Sequence, residues 1–339
     1  MTSRVILCLN SGSSSLKFAL YRIGDGEELL LAQGAAELDD GQLTRLWIHS
    51  PHEKVEKTGS EISSASTPLY ALSVELKRLR LPHPDAVGHR LVHGGPHHAA
   101  PERITDTLFN ELGSLVPFAP LHLPDEIAGI EVVTSNFPKL PQVACFDTAF
   151  HHSMPEVAQR FALPRALRDE GIRRYGFHGI SYEYIVRTLG AKLPSRLIVA
   201  HLGNGASMAA VRDGSPLDTT MGFTPAGGFM MGTRSGDLDP GIILYLLNEK
   251  HFNAHEIAQL VNHQSGLLGV AGISDMKMLL QRRDTAPDAA LAVQMFCYQL
   301  RKQIGAFTAA LGGLDLLVFT GGIGEKAAPV RWETCVGLD

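Results

Sequence analysis

VILCLNSGSSSLKFALY (5–21) and RLIVAHLGNGASMAAVRDG (196–214) are the stretches that decide the fold. Each reads as an apolar strand, a short polar turn holding glycine, and a second apolar strand. Ser15-Leu16 and Ser207-Met208 fall at matching places after the turns. A tight turn needs residues that tolerate unusual backbone angles, and Gly and Asn supply them. One such hairpin in each half of the chain predicts two related domains facing each other.

Outward from these hairpins, apolar runs alternate with amphipathic segments. Further strands are predicted at Ala86–Val87, Val143–Phe146 and Leu314–Phe319. Helices are predicted at Leu69–Leu79, Asp125–Phe137, Ile180–Leu189, Gly241–Glu249, Ala254–Asn262 and Pro287–Leu311. The mixture is α/β. The polar span Ser50 to Thr67 reads as a surface excursion, and the His-rich turn after Phe146 marks the domain break, giving 1–148 and 149–339.

The chain has 339 residues, 45% of them hydrophobic and 19% charged, enough for two globular domains with their own cores. A net charge of −5 gives no basis for a nucleic-acid or membrane-surface binder. The start holds no secretory apolar core, and no run is long enough to span a membrane. The four cysteines are scattered without a CxxC pair, which points to small buried thiols in a cytoplasmic protein. Cys8 and Cys145 lie within strand-like runs.

Three glycine-rich turns stand out, and the first two could cradle an anion, because glycine lets backbone N–H groups approach it closely. The first is Asn10-Ser11-Gly12-Ser13-Ser14-Ser15, with Lys17 beyond; the second is Gly203-Asn204-Gly205; the third is Thr320-Gly321-Gly322-Ile323-Gly324-Glu325. A plain solvated hairpin has the same composition. The first is not a P-loop, since Gly-Lys-Ser/Thr is missing, and the third lacks the βαβ context of a dinucleotide site, which argues against an NAD oxidoreductase. Arg90 follows a strand in GHRLVHGGPHH (88–98), where a guanidinium fork suits a carboxylate or phosphate. Gly94, Gly95 and Pro96 exclude helical metal-ligand geometry for the histidines around them. Asp147 ends a strand, where α/β proteins assemble sites. His122 lies between prolines, His178 precedes a helix, and FTPAGGFMMGTRSGDLDPG (223–241) is a long loop carrying Arg234 and Asp237.

Together, NSGSSSLK, GHRLVHGG, FDTAFH, YGFHGISY, HLGNGAS, GFTPAGGFMMGTRSGDLDPG and FTGGIGE occur in the order and approximate spacing of the acetate kinase family, which the chain resembles from residue 4 to residue 326. The resemblance implies two similar ribonuclease-H-like domains, as in the superfamily of acetate and sugar kinases, heat-shock ATPases and actin, with the nucleotide in the interdomain cleft. Residues 1–148 would form the carboxylate-side domain and 149–339 the nucleotide-side domain. It implies reversible, Mg²⁺-dependent (Mn²⁺ possible) transfer of the ATP γ-phosphoryl group to acetate, giving acetyl phosphate and ADP, by a homodimer.

By the same resemblance, Asn10 helps hold the metal, and Ser13, Ser15 and Lys17 lie near the transferred phosphate. Arg90 binds the carboxylate, and Arg234 binds both carboxylate and migrating phosphoryl group. His178 hydrogen-bonds that group with His122 nearby, and Asp147 orients the reactants. His201, Gly203, Asn204 and Gly205 contact nucleotide phosphates; Asp275, Met276, Lys277, Gly322 and Ile323 lie beside the adenosine; Val92, Leu121 and Pro225 line the pocket for the methyl group. Chains of the family continue past the position of Asp339 with a segment carrying a metal-binding glutamate, so the second domain is expected to be incomplete, and Lys326 stands where the family has Asn. The alternatives are a propionate or butyrate kinase and a nucleotide-binding form with little turnover.

Overall fold

The computed structural model describes residues 3–12, 15–24, 26–39, 42–59 and 67–338. The chain divides into two compact units, Met1–Ala149 and Phe150–Asp339.

The first unit runs β1 (Arg4–Gly12), β2 (Ser15–Gly24), β3 (Glu27–Asp39), β4 (Gln42–His49), β5 (Lys54–Thr58), α1 (Pro68–Arg78), β6 (Ala86–Leu91), β7 (Glu102–Arg103), α2 (Asp106–Ser114), α3 (Leu123–Asn136) and β8 (Gln142–Phe146). Its sheet has the order β5-β4-β3-β2-β1-β6-β8-β7. Strands β1 to β5 form an antiparallel meander, while β1, β6 and β8 run parallel. Side chains alternate across a strand, so Val5, Leu7 and Leu9 of β1 face the core with Leu16, Phe18 and Leu20 of β2. Leu69 and Leu72 of α1 and Val133 of α3 cover that face. Fully burying one such leucine is worth about 1.5–3 kcal/mol.

The same alternation corrects the reading of Cys8: it sits between buried Leu7 and Leu9 and is therefore exposed. The span Ser50 to Thr67 is also corrected. Lys54–Thr58 forms β5, paired to β4 with Val55 buried; residues 60–66 lie outside the described residues. Strands β3 and β4 were not expected, because neither combines strict apolar–polar alternation with flanking turn residues strong enough to mark it.

The second unit runs α4 (Glu156–Gln159), α5 (Arg165–Asp169), α6 (Gly179–Leu189), β9 (Arg196–Leu202), β10 (Ala206–Arg212), β11 (Ser215–Thr219), α7 (Pro240–Asn248), α8 (Ala254–His263), α9 (Gly266–Ala271), α10 (Met276–Arg282), α11 (Pro287–Leu311), β12 (Leu316–Thr320), α12 (Gly321–Lys326) and α13 (Ala328–Cys335). Its sheet order is β11-β10-β9-β12, with β9 antiparallel to β10 and parallel to β12. Each unit thus contains a hairpin flanked by a parallel strand, β2-β1-β6 in one and β10-β9-β12 in the other. The third glycine-rich segment, read as a turn, is the short helix α12 instead. Arg331 Nη1 donates to the carbonyls of Gly324 and Glu325 at its end, satisfying groups that a helix terminus leaves open. No described helix, α11 with its 25 residues included, is long and apolar enough to cross a membrane.

His89 on β6 is buried, and its Nε2 donates to the Gln142 side-chain oxygen at 2.7 Å. Burial pushes its pKa down from 6.5 to about 4, only partly opposed by that bond. The folded state therefore holds His89 neutral, and the stability this contributes is present above pH 6.5 and lost as pH falls toward 4. The gap corresponds to about 3 kcal/mol. We expect His89→Gln to lose less stability than the parent chain between pH 7 and pH 4.5, measured by urea unfolding. Equal losses would show that His89 does not drive acid destabilisation.

Candidate active site

In the first unit the strand register brings candidate residues into one row. Lys17 of β2 pairs with Asn10 of β1, and Asn10 pairs with Arg90 of β6. Residues directly opposite across a sheet share a face, so Lys17, Asn10 and Arg90 do. The row lies at the carboxyl ends of β1 and β6, and Asp147 follows the end of β8, with its N–H donating to Leu91 O. Ser15 pairs with Gly12 at the hairpin end; Ser13 lies outside the described residues.

Arg90 is held by two buried carboxylates. Its Nε and Nη2 donate to Asp147 Oδ2, the former at 3.0 Å, and its Nη1 donates to Glu126 Oε1 at 3.0 Å. Burial opposes the charge on Arg90, but Asp147 and Glu126 outweigh it and raise the pKa. These bonds use three of the guanidinium's five donors. Glu126 Oε2 also accepts from Val92 N at 2.8 Å. Burial pushes Glu126 up to about 7, with Asp147 and Asp125 adding to the rise and Arg90 and the Val92 N–H opposing it.

Glu126 escaped the sequence reading. The signal was present: Leu123, Glu126, Ile130 and Val133 are the buried face of α3, so helical spacing alone puts a carboxylate among apolar neighbours. Val92 is buried beside the end of β6, whereas Leu121 is 43% exposed. His122 occupies the N-cap position of α3 without capping through its side chain.

In the second unit the β9–β10 turn is the organising feature. An added Cβ on Gly205 would lie 3.5 Å from Arg234 Nη1 and 3.6 Å from His178 Nε2, so two donors converge on this glycine. His178 stands in the left-handed region at φ 58°, just before α6. Its Nδ1 meets Ser207 Oγ at 2.8 Å, and its ring lies 4.4 Å from that of His201. Tyr182 also hydrogen-bonds Ser207, and Ser181 Oγ meets His201 Nδ1 at 3.0 Å. Arg234 Nη1 donates to Pro225 O at 3.2 Å. Asp237 is not its ion partner: the Asp237 carboxylate accepts from Gly228 N at 2.8 Å and pins the loop. The loop docks on the turn, since Gly232 N donates to Asn204 O at 3.0 Å. A Cβ on Gly232 would come 2.1 Å from Asn204 Oδ1, so a larger residue there would push the Asn204 side chain aside.

The same turn borders a cavity of about 760 Å³. Gly203, Asn204, Asp275, Met276, Lys277, Gly322 and Ile323, named from the sequence, all line it. Lys326, noted as a departure from the family's Asn, lines it too; Ser274, Leu280, Gln281 and Ala327 complete the lining and were not singled out as contacts. Asp275 caps α10, its Oδ1 accepting from Met278 N at 2.8 Å. The walls therefore come from the hairpin turn, the start of α10 and α12, with Lys277 and Lys326 as cationic groups.

Among the described residues there is no cluster of three or more His, Cys, Asp or Glu side chains that could hold a metal ion. A Mg²⁺ ion keeps several waters and takes phosphate oxygens with one or two protein ligands. Asn10, exposed near the end of β1, carries a side-chain oxygen of the kind such an ion takes.

An α/β protein with a glycine turn between a nucleotide-sized cavity and two convergent donors belongs among the phosphoryl-transfer enzymes. The chain belongs to the acetokinase family, whose model matches residues 5–339. It is 45% identical to the acetate kinase of Rhodopseudomonas palustris over 98% of this chain and 86% of that one. It superposes on the propionate kinase of Francisella tularensis with a TM-score of 0.90 at 38% identity, covering 99% of this chain and 88% of that one. For the acetate kinase of Porphyromonas gingivalis the TM-score is 0.85 at 38% identity, covering 99% and 87%. The α/β fold is that of these carboxylate kinases.

Proposed function

We propose that the chain is an acetate kinase, transferring the γ-phosphoryl group of ATP to acetate and back. The observation that carries this reading is the β9–β10 turn: Gly203 and Asn204 border the large cavity, while Gly205 lies against Arg234 and His178. A nucleotide seated in that cavity would present its phosphates to those donors. Lys277 and Lys326 would add positive charge, and Asp275, Met276, Gly322 and Ile323 would flank the adenosine.

Phosphoryl transfer asks a protein chiefly for positioning and for groups that meet developing charge. A carboxylate is already nucleophilic, so no general base is needed and the transfer is one direct in-line displacement. Arg234 and His178 Nε2 stabilise the migrating phosphoryl group, and Ser207 and His201 fix the His178 ring. In the first unit Arg90 offers its remaining donors to the acid's carboxylate while Asp147 fixes its orientation. Val92 and Leu121 flank the short alkyl group. By the family resemblance Lys17 and Ser15 would meet phosphate oxygens, and Asn10 would supply a ligand to Mg²⁺. When bound with the nucleotide, that ion offsets phosphate charge. Propionate differs by one methylene, worth about 1–3 kcal/mol in such a pocket, so a preference between the two acids is modest.

Trapping the acyl phosphate as its hydroxamate, with ATP, Mg²⁺ and acids of increasing length, tests the reading directly. We expect product with acetate, less with propionate and little with longer acids. Arg234→Ala should lower kcat by about 10²–10³-fold, the scale of losing a transition-state donor, while nucleotide affinity by equilibrium titration changes little. Near-normal turnover in that variant would remove Arg234 from the mechanism.

We also propose a homodimer that covers α7. No residue of α7 is buried within the chain, and Ile242, Leu244, Tyr245 and Leu247 expose 44%, 58%, 53% and 38% of their surface. An apolar helix face of this kind marks an association surface. Sedimentation should give a dimer for the parent chain and a monomer for Leu244→Glu combined with Leu247→Glu. A monomeric parent chain would refute the assignment.

A further inference from the structure

We propose that Glu126 takes up a proton when the acid binds, so that capture of the carboxylate is coupled to neutralisation of a buried side chain. The inference deepens the reading above and rests on Arg90 as the anchor of the acid.

The geometry sets up a charge conflict. One guanidinium already serves two carboxylates, Asp147 on its Nε and Nη2 and Glu126 on its Nη1. The trio carries a net charge of minus one before any acid arrives. The acid adds a third carboxylate to the same guanidinium, in surroundings where Glu126 is 1% exposed and Val92 is 2% exposed. Like charges gathered on one desolvated site raise each other's proton affinity. A proton drawn from solvent onto one carboxylate restores the original net charge.

Glu126 is the carboxylate placed to accept it. Asp147 receives two bonds from Arg90, whereas Glu126 receives one from Arg90 and one from the neutral Val92 N–H. Burial already holds Glu126 at about 7, so a modest further rise leaves it protonated above neutral pH. On the strands packed against α3, Cys8 of β1 is exposed, and His89 of β6 is buried, neutral and bonded to Gln142. Asp125 lies beside Glu126 on the same turn, and His122 sits at the N-cap. On β1, Arg4 pairs with Asp85. On α1, Glu75 is committed to Lys57 and Arg78. On α2, Glu111 pairs with His98, and Asp106 is exposed. His93, buried after β6, accepts from Gly95 N through Nδ1.

Binding and protonation are reciprocal. Acid affinity must therefore fall as pH rises through the Glu126 titration, approaching tenfold per pH unit once the carboxylate is ionised in the free protein. A carboxylate that served only to hold Arg90 in place when ionised would give the opposite slope.

The test is calorimetric titration of acetate into the nucleotide-free protein, in buffers of different ionisation enthalpy. At pH 7.5 we expect uptake of a large part of one proton per acetate, and a Kd about tenfold weaker at pH 8.5 than at pH 6.5. Glu126→Gln should abolish the uptake and flatten the pH dependence. Absence of uptake in the parent chain, or unchanged uptake in Glu126→Gln, overturns the proposal; the latter result would assign the proton to a histidine such as His122. Should the variant fail to fold, difference infrared spectra of the parent chain decide. A protonated-carboxyl C=O band appearing on acetate binding supports the proposal, and its absence refutes it. Arg90→Ala separates the two layers of the argument. Acetate affinity unchanged in that variant refutes Arg90 as the anchor, and with it the inference. Weakened affinity without proton uptake in the parent chain refutes the inference alone.

Discussion

An arginine can grip a small carboxylate only if its own guanidinium is held still and kept charged, and the Arg90 cluster meets both conditions. Asp147 and Glu126 fix two edges of the guanidinium from the end of β8 and from α3. Neither carboxylate is free to turn to solvent, because both are buried. The parallel alignment of β1, β6 and β8 brings Asn10, Arg90 and Asp147 to neighbouring strand ends. Burying this ion cluster costs desolvation, and an isosteric apolar trio would serve stability as well or better. The cluster is better explained by binding than by folding.

The second unit solves a different problem with the same local structure. Its hairpin turn needs backbone space and donors, not a fixed ion pair. Gly205 leaves room for a group to approach Arg234 and His178, and Gly232 lets the long loop close onto Asn204. The donors are oriented by neutral partners, Ser207 for His178 and Pro225 O for Arg234. Those two bonds set the direction of each donor.

Much of this was legible in the chain. Both hairpins could be read because apolar strands flank Gly-containing turns, whereas the row of Lys17, Asn10 and Arg90 on one face needed the strand pairing itself. Asp147 was legible as the residue after a strand. Asp275, Met276 and Lys277 came from the family resemblance and not from pattern, since nothing local in that run marks a ligand wall. Glu126 was hidden by the habit of reading an acidic residue in a first helical turn as a dipole partner. Its helical spacing with Leu123, Ile130 and Val133 is the signal that puts it on the buried face. Strand β5 was missed because a polar, lysine-rich edge strand imitates a loop, and Cys8 because an apolar run was read without its alternation.

The central claim is that Arg90 itself receives the acid's carboxylate. Nitrogen NMR of guanidinium-labelled arginine, with the Arg90 resonances assigned by their loss in Arg90→Lys, addresses it without relying on turnover. The account requires the Arg90 Nη signals to shift on addition of acetate and to stay in place on addition of acetamide, its neutral isostere. Arg90 signals indifferent to acetate at concentrations that saturate the protein would contradict it.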